Sequence, residues 1–364
     1  MDRRSFIKKS AAVTAGAAAA STLAAPAIAQ AAKDMVIVST WPRDMPGLGL
    51  PAQRLAARIA ELTEGRLNVQ YFAAGERVGA FDSFDEVASG NAQAYVAADY
   101  YWIGKHKGWA AFTAIPFGLT YTEIDAWTKY GGGQQLWDEL GDEFGLKCWA
   151  CGNTGVQMGG WFNKEINSAD DLKGLKMRIP GQGGDVLSKL GASTVALPGG
   201  QIYENLVSGA IDATEWVGPY NDYFLKFYEA AKYYYWPGMH EPGAQISFGI
   251  NKSWLSELSK TDQAILEAAC NEENARTMAE TNAFNGEYLR RLIDDHGVEL
   301  REFNDDVYAA FGRAAQEVLE ESRDHSDLAK RIMDSVDNAR REIGAWTGIS
   351  DMAYVQRRNK ALGI

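Results

Sequence analysis

The chain has 364 residues, of which 46% are hydrophobic, and a formal charge of −12 at pH 7. Its first 29 residues hold four basic side chains and one acidic one, so the remainder carries −15. A charge of this size disfavours nucleic acids and anionic membrane surfaces as partners. It leaves room for a small anion at a local positive site, and it favours the capture of a metal cation.

The first residues have the pattern of an export signal. Arg3 and Arg4 form a twin-arginine pair, an alanine-rich stretch follows, and Ala27-Ile28-Ala29 matches a small-residue cleavage site. We therefore predict a twin-arginine signal peptide over residues 1–29 and a mature protein in the periplasm. The remaining residues, about 330, suffice for two packed domains and include no apolar run near the roughly 20 residues that a spanning helix needs.

The mature chain begins with alternating strand and helix patterns. MVIVST, LNVQYF and AQAYVAAD have the composition of strands, and apolar residues recur at helical spacing between the first two. A second alternating series runs from Leu146 through LKMRIPG, STVALP, DATEWV and YYYWPG, and ISFGINK has the pattern of a return strand. Beyond Ser256 the pattern is almost wholly helical, and Ser259 is the predicted N-cap of a long helix.

Two alternating series predict an α/β fold with two lobes and a cleft between them. We expect residues 30–145 to form the first lobe and residues 146–243 the second. Residues 244–364 would then supply a return strand and C-terminal helices that pack on both lobes. Tyr100 and Tyr101 belong to an aromatic, loop-rich stretch that either lines the cleft or packs between the domains.

Motifs for catalysis are largely missing from the sequence. It contains no H-E-x-x-H, no G-x-S-x-G and no phosphate-binding G-x-x-x-x-G-K-[ST]. Cys148 and Cys151 form a C-x-x-C, which in an exported protein raises the possibility of redox chemistry. The pair lies in a strand-like run, where positions three apart point to opposite faces, whereas redox pairs open a helix. We therefore predict a structural role for both thiols.

Two charged residues stand out between residues 145 and 221. Read as a strand, GLKMRIPG puts Arg178 near the end of a strand, where open α/β folds bind ligands. An arginine at this place can hold a carboxylate through two parallel hydrogen bonds. Glu215 shares an apolar register with Ala213 and Val217, so its carboxylate needs a cationic or hydrogen-bonding partner.

The residues alone leave two interpretations of Glu215 open. Beside an anionic ligand on Arg178, the Glu215 carboxylate would repel that ligand unless positive charge lay between them. Sodium or calcium could supply this charge, with the Glu215 carboxylate, the Gln157 amide oxygen and the Trp216 main-chain carbonyl as ligands. Alternatively, Glu215 pairs directly with Arg178, which gives a buried ion pair and no metal.

Several motifs together resemble a known family. GVQMGGWF contains Gln157, DLKGLKMRIPG contains Arg178, and AIDATEWVGPYND contains Glu215 and Trp216. With the twin-arginine start and YYYWPGMHEPGAQ, they resemble the solute receptors of tripartite ATP-independent periplasmic (TRAP) transporters over essentially the whole mature chain. The resemblance is closest to the branch that binds α-keto acids and lactate with a metal ion.

The resemblance implies a two-lobed periplasmic binding protein that closes about a hinge and docks on the membrane subunits of a sodium-driven TRAP transporter. The implied substrate-binding residues are Arg178, Gln157, Trp216, Tyr100 and Tyr101. The implied ligands of a bridging sodium or calcium ion are Gln157, Glu215, Trp216 and Glu241. Some receptors of this branch are dimers joined by exchanged C-terminal helices, and the amphipathic tail DMAYVQRRNKALGI is compatible with such a homodimer.

We therefore expect a receptor for a small 2-oxo or 2-hydroxy monocarboxylate, such as pyruvate, 2-oxobutyrate or lactate, and not an enzyme. Within the same class, the alternative is a receptor for a larger aromatic or sugar acid, because eleven tryptophans could serve a wider pocket. The alternative from another class is an exported redox enzyme that uses Cys148 and Cys151.

Overall fold

The computed structural model describes residues 32–364, which form two β-sheets packed against helices. The predicted signal peptide, residues 1–29, lies outside the described residues. None of the helices within residues 32–364 is long and apolar enough to span a membrane. Two sheets with intervening helices confirm the predicted α/β class.

The first sheet has five strands. In spatial order they are β2 (Leu67–Phe72), β1 (Lys33–Ser39), β3 (Ala94–Ala97), β10 (Gln245–Asn251) and β4 (Leu146–Asn153). The first three strands are parallel, and β10 runs antiparallel to both of its neighbours. The predicted return strand is therefore part of the first sheet and lies between β3 and β4.

The second sheet has six strands. In spatial order they are β11 (Glu299–Glu302), β9 (Tyr233–Trp236), β5 (Gly160–Phe162), β8 (Ala213–Thr214), β6 (Lys176–Arg178) and β7 (Ser193–Val195). The strands β6, β7 and β8 are parallel, and β5 runs antiparallel to β8 and β9. The carboxyl ends of β6 and β8 therefore meet at one edge of this sheet.

Helices account for most of the remaining described chain. The α-helices are Gly49–Leu62, Ser83–Ala88, Tyr121–Tyr130, Gly133–Asp142, Gly181–Lys189, Gly199–Val207, Pro219–Leu225, Lys252–Ser256, Lys260–Asp294, Asp305–Arg323, Asp327–Thr347 and Ala353–Leu362. The short 3-10 helices are Ala80–Asp82, Asp99–Trp102, Lys107–Phe112, Ala169–Leu172 and Phe227–Glu229, and Gly348–Met352 is a π-helical turn. As predicted, Ser259 caps the long helix, since its Oγ accepts a 3.0 Å hydrogen bond from the backbone N–H of Asp262.

The long helix Lys260–Asp294 joins elements of the two sheets. It packs on β4 of the first sheet and on the helix Pro219–Leu225, which follows β8 of the second. Arg54, on the helix after β1, forms ion pairs with Glu273 and Glu280 of the long helix at 2.6 and 2.7 Å. Tyr220 donates from its hydroxyl to the same Glu280 at 3.0 Å. This helix therefore fixes a contact between the two lobes.

One strand lies in a different sheet from the one predicted. The sequence predicts that Leu146 opens the second lobe, whereas β4 pairs with β10 in the first sheet, and the second sheet begins along the chain at Gly160. Alternating apolar residues identify a strand, but its neighbours are decided by long-range pairing. The rest of the predicted division into domains stays a prediction.

Candidate functional site

Neighbouring parallel strands bring the two charged residues together. Arg178 is the last residue of β6, and its register partner on β8 is Thr214, which directly precedes Glu215. The backbone N–H of Glu215 donates to the Arg178 carbonyl at 3.2 Å, which extends the ladder by one step. Both side chains lie at the carboxyl ends of parallel strands, where α/β folds place their ligands.

The Arg178 guanidinium is held on three sides. Its Nη1 donates to Glu215 Oε1 at 2.5 Å and to the Glu215 carbonyl at 3.1 Å, and its Nε donates to the Leu197 carbonyl at 3.1 Å. The guanidinium carbon lies 5.1 Å from the centroid of the Trp216 ring, a cation–π contact. Within residues 32–364 no hydrogen bond engages Nη2. Arg178 is therefore oriented by the protein with one nitrogen left over.

Glu215 uses both of its oxygens. While Oε1 accepts from Arg178, Oε2 lies 3.2 Å from Nε2 of His240. All three side chains are buried, with Arg178 and Glu215 each only 1% exposed. The direct ion pair between Arg178 and Glu215, one of the two interpretations that the sequence leaves open, is present in the structure.

A second buried carboxylate lies beside the pair. Glu241 Oε2 accepts a 2.7 Å hydrogen bond from Nε2 of Gln157, and the same nitrogen donates to Thr154 Oγ1 at 3.1 Å. Burial raises the pKa of Glu241 well above its usual value, and repulsion from Glu215 raises it further. Glu215, His240 and Glu241 each offer an atom able to bind a metal, and these atoms lie within 4.8 Å of one another.

Two buried polar atoms near these groups have no partner. Gln157 Oε1 accepts no hydrogen bond, and the indole Nε1 of Trp216 donates none, within residues 32–364. Leaving such a buried group unpaired costs about 1–3 kcal/mol. Because both side chains line the same cavity, the cavity offers an unpaired acceptor and an unpaired donor to a ligand.

The cavity is small and partly open to solvent. It is lined by six of the seven predicted site residues, namely Tyr100, Tyr101, Gln157, Arg178, Trp216 and Glu241. The seventh, Glu215, does not line the cavity but contacts Arg178, which does. Burial raises the pKa of both tyrosine phenols, so both stay protonated and can donate to an anion.

Sequence reasoning missed several residues at this site. Trp41, just after β1, and Thr154, just after β4, also line the cavity. His240 binds Glu215, although no metal-binding spacing marks it in the sequence. Its position directly before Glu241 is the signal that could have identified it.

The two cysteines of the C-x-x-C lie away from the cavity, inside the first sheet. Cys148 and Cys151 are free thiols, 0% and 2% exposed, and burial raises the pKa of each well above its usual value. Thiols react as thiolates, so these are in an unreactive state. Cys148 Sγ contacts the Tyr95 hydroxyl at 3.7 Å, which is a packing contact in the core.

Two α/β units that together line a small charged cavity are the arrangement expected of a two-lobed solute receptor. The model of a family described as bacterial extracellular solute-binding protein, family 7, matches residues 38–325. The chain belongs to this family.

The chain is also similar to one relative and to solved structures whose bound ligands are known. The monocarboxylate 2-oxoacid-binding periplasmic protein of Nostoc sp. is 38% identical over 318 residues, which cover 87% of each protein. A TRAP periplasmic solute-binding protein from Colwellia psychrerythraea, with bound calcium and pyruvate, is 38% identical, with a TM-score of 0.87 over 90% of this chain and 99% of that one. Another from Pseudoalteromonas atlantica, with bound sodium and pyruvate, is 37% identical, with a TM-score of 0.86 over 89% of this chain and 99% of that one. The predicted membership of the TRAP solute receptors is confirmed.

Proposed function

We propose that this receptor binds a small 2-oxo or 2-hydroxy monocarboxylate, such as pyruvate, 2-oxobutyrate or lactate, through Arg178 and a bridging sodium or calcium ion. The observation that carries the proposal is the buried Gln157 Oε1, which has no hydrogen-bond partner and belongs to a side chain that lines the same cavity as Arg178 and Glu241. The pyruvate and metal ions bound by the two similar receptors support it.

The donor set around the cavity fits a hard cation. Glu215 and Glu241 offer carboxylate oxygens, in a cluster that also includes His240, and the amide oxygen of Gln157 is unpaired. With the main-chain carbonyl of Trp216, these oxygens would form the kind of ligand set that sodium and calcium prefer. A bound ion would supply positive charge between the acid and the two glutamates. Arg178 alone cannot balance two buried carboxylates and a third on the ligand.

The protein's own donors would hold the acid. Nη2 of Arg178 is the nitrogen left over for a ligand carboxylate, and the Trp216 ring keeps the guanidinium plane in place. Tyr100 and Tyr101 would donate from the other side of the cavity. The sequence predicts two parallel hydrogen bonds from Arg178 to the ligand carboxylate. Because Glu215 and Leu197 already occupy Nη1 and Nε, Arg178 has only Nη2 left to donate to the ligand.

The cavity also suggests how binding would be coupled to transport. Tyr100 follows β3 of the first sheet, and it packs on Gly181, which follows β6 of the second; a Cβ at Gly181 would lie 3.2 Å from Tyr100 Cγ. A ligand held by both sides would stabilise a closed state of the two lobes about a hinge. We propose that the closed receptor, exported to the periplasm by its twin-arginine signal, docks on sodium-driven TRAP membrane subunits. We assign it no catalytic role.

Calorimetry of the purified protein with pyruvate tests the proposal. Ligand-free protein would be titrated after EDTA treatment in sodium-free buffer, and then with calcium or sodium restored. Binding that returns with one ion identifies that ion as the bridge, and Glu215→Gln should weaken the effect of the ion. Tight pyruvate binding with neither ion present would refute the metal bridge.

A panel of acids in a thermal-shift assay separates small from large ligands, since a ligand of the native state raises the melting temperature. Stabilisation by pyruvate, 2-oxobutyrate or lactate is expected. Stabilisation only by aromatic or sugar acids would favour the receptor for larger carboxylates.

The C-terminal tail supports a proposal about assembly. Its exposed apolar side chains are Trp346, Ile349, Met352, Tyr354, Val355, Leu362 and Ile364. A run of this kind beyond the body of the protein is a candidate interface. We propose that it pairs with a second copy of this chain.

A further inference from the structure

We propose that Asp222 and Asp99 are positioning residues, each of which fixes, from inside its own lobe, the chain segment that carries part of the binding site. The inference rests on the proposed function, because it concerns how the proposed ligand-binding groups are held. Both carboxylates are buried, neither lines the cavity, and each accepts from one tryptophan indole N–H and one tyrosine hydroxyl.

Asp222 ties together three parts of the second lobe. Its Oδ2 accepts from the Trp161 indole at 2.8 Å and from the Tyr234 hydroxyl at 2.7 Å. Its Oδ1 accepts from the backbone N–H groups of Val217 and Gly218, both at 3.1 Å. Every hydrogen-bonding direction of the carboxylate is therefore used to hold the segment after Trp216 against β5 and β9.

The held segment is the one that bears the proposed metal ligands. Thr214, just before Glu215, is paired with Arg178 on β6 and with Trp161 on β5. Asp222 fixes the backbone just after Trp216, so the two ligand residues are fixed on both sides. The Val217 carbonyl also accepts from the N–H of Met158 at 3.0 Å. This bond extends the support to the neighbour of Gln157, the third proposed ligand.

In the first lobe, Asp99 fixes the chain segment that carries Tyr100 and Tyr101. Its Oδ2 accepts from the Trp137 indole at 2.9 Å, and its Oδ1 lies 3.3 Å from the Tyr95 hydroxyl. Its own backbone N–H donates to Thr113 Oγ1 at 2.6 Å. These bonds fix the first residue of the 3-10 helix Asp99–Trp102, which carries Tyr100 and Tyr101 on the cavity wall.

The two carboxylates should therefore control different steps of binding. Asp222 supports groups proposed to bind the metal, whereas Asp99 supports tyrosines proposed to contact only the acid. In either residue, asparagine keeps one acceptor oxygen, and its NH₂ group cannot accept from the donors that the other carboxylate oxygen served. The substitution thus loosens the support without adding bulk.

Two titrations of the full-length mature protein test the inference. Calcium alone is titrated first, and pyruvate is then titrated at saturating calcium, with sodium in place of calcium if the wild type requires sodium. Asp222→Asn should lower calcium affinity about 10- to 100-fold, the usual effect of removing a group that orients metal ligands. Asp99→Asn should leave calcium affinity within about twofold and lower pyruvate affinity about tenfold. The control is Glu123→Gln, a buried carboxylate outside the cavity wall, which should change neither affinity.

A second pair of variants covers the case in which an asparagine variant does not fold. Tyr234→Phe and Tyr95→Phe each remove one hydroxyl donor from Asp222 and Asp99, and both tyrosines are fully buried. Tyr234→Phe should lower mainly calcium affinity and Tyr95→Phe mainly pyruvate affinity, each by less than the corresponding asparagine variant. Unchanged affinities in the folded variants, or equal loss of both affinities from either lobe, would overturn the inference. A wild type that binds neither ion and no pyruvate would instead refute the proposed function.

Discussion

Arg178 and Glu215 form an ion pair with 2.5 Å between Nη1 and Oε1, and each side chain is only 1% exposed. A buried pair of this kind gives little net stability, because desolvating two charges offsets most of their attraction. It does place a guanidinium and a carboxylate in fixed positions beside the cavity. Because Nη1 serves Glu215 and Nη2 is left for an incoming acid, Glu215 and the ligand are coupled through one guanidinium group.

Substitution of Arg178 should affect both stability and binding. Arg178→Ala leaves the Glu215 carboxylate buried without its cation, and we expect a loss of about 3–5 kcal/mol in the free energy of unfolding. Arg178→Lys keeps a charge but not the planar group, so it should be less destabilised and still lose pyruvate affinity at least about tenfold. Urea unfolding and calorimetry measure the two effects. Wild-type pyruvate affinity in the lysine variant would contradict a role for Nη2.

The two glutamates should differ in their effect on the metal. Glu215→Gln keeps an oxygen for Arg178 but removes a charge, and we expect calcium affinity to fall at least about tenfold, or about 1.4 kcal/mol. Glu241→Gln should have a smaller effect, because burial and repulsion from Glu215 raise the pKa of Glu241 and so favour its uncharged form. Calcium titrations of the two variants beside the wild type measure this order. The reverse order would make Glu241 the principal carboxylate ligand.

The thiols should be inert in the native protein. Cys148, Cys151 and Cys270 are buried, and burial raises the pKa of each. A thiol reagent such as Ellman's reagent should react with none of them in buffer and with three after unfolding in guanidinium chloride. Cys148→Ala and Cys151→Ala should retain pyruvate binding. A rapidly reacting thiol in the folded protein, or lost function in either variant, would revive the redox alternative.

Stability should fall as the pH rises through the weakly acidic range. Burial raises the pKa of Asp99 and of Asp222 to about 7 in the folded protein, against about 3.9 in an unfolded chain. Between about pH 4 and 7 the unfolded state has lost these two protons while the folded state keeps them. The free energy of unfolding therefore decreases with pH, by up to about 1.4 kcal/mol per pH unit for each group, and levels off above pH 7.

Urea unfolding of ligand-free protein at pH 5, 6, 7 and 8 measures this slope. Asp99→Asn and Asp222→Asn should each make it shallower, because asparagine does not titrate. A stability that rises over this range in the wild type would contradict the raised pKa values.

Removal of residues 348–364 should alter assembly but not binding. The deleted tail carries six of the seven exposed apolar side chains named above, whereas the cavity is lined by residues between 41 and 246. We expect the full mature chain to elute as a dimer in size-exclusion chromatography with light scattering, and the shortened chain as a monomer with unchanged pyruvate affinity. A monomeric full-length protein would contradict the proposed homodimer.

Local patterns predicted many elements because each depends on nearby residues. The strands β1, β2, β6 and β9 and the Ser259 cap follow from alternation and capping rules that act over a few positions. Between Tyr121 and Asp142 the chain forms two helices, Tyr121–Tyr130 and Gly133–Asp142, because Gly132 adopts a left-handed conformation with φ of 86°.

For the site, the sequence by itself determined which groups had to find partners. The sequence alone shows that Glu215 lies in an apolar register and that Arg178 lies at the end of a strand. Burying either charged side chain is costly unless it finds a partner. Together with the family motifs, they identified the receptor class before any contact was known.

Only the tertiary structure decided how those needs were met. Three features depend on residues that are distant in sequence. They are the membership of β4 in the first sheet, the contact of His240 with Glu215, and the unpaired Gln157 Oε1. So do Asp99 and Asp222, whose partners are supplied by other strands and helices of their lobes. The physical reason is that alternation and propensity act over a few residues, whereas the partner of a buried polar group is set by how whole strands and helices pack.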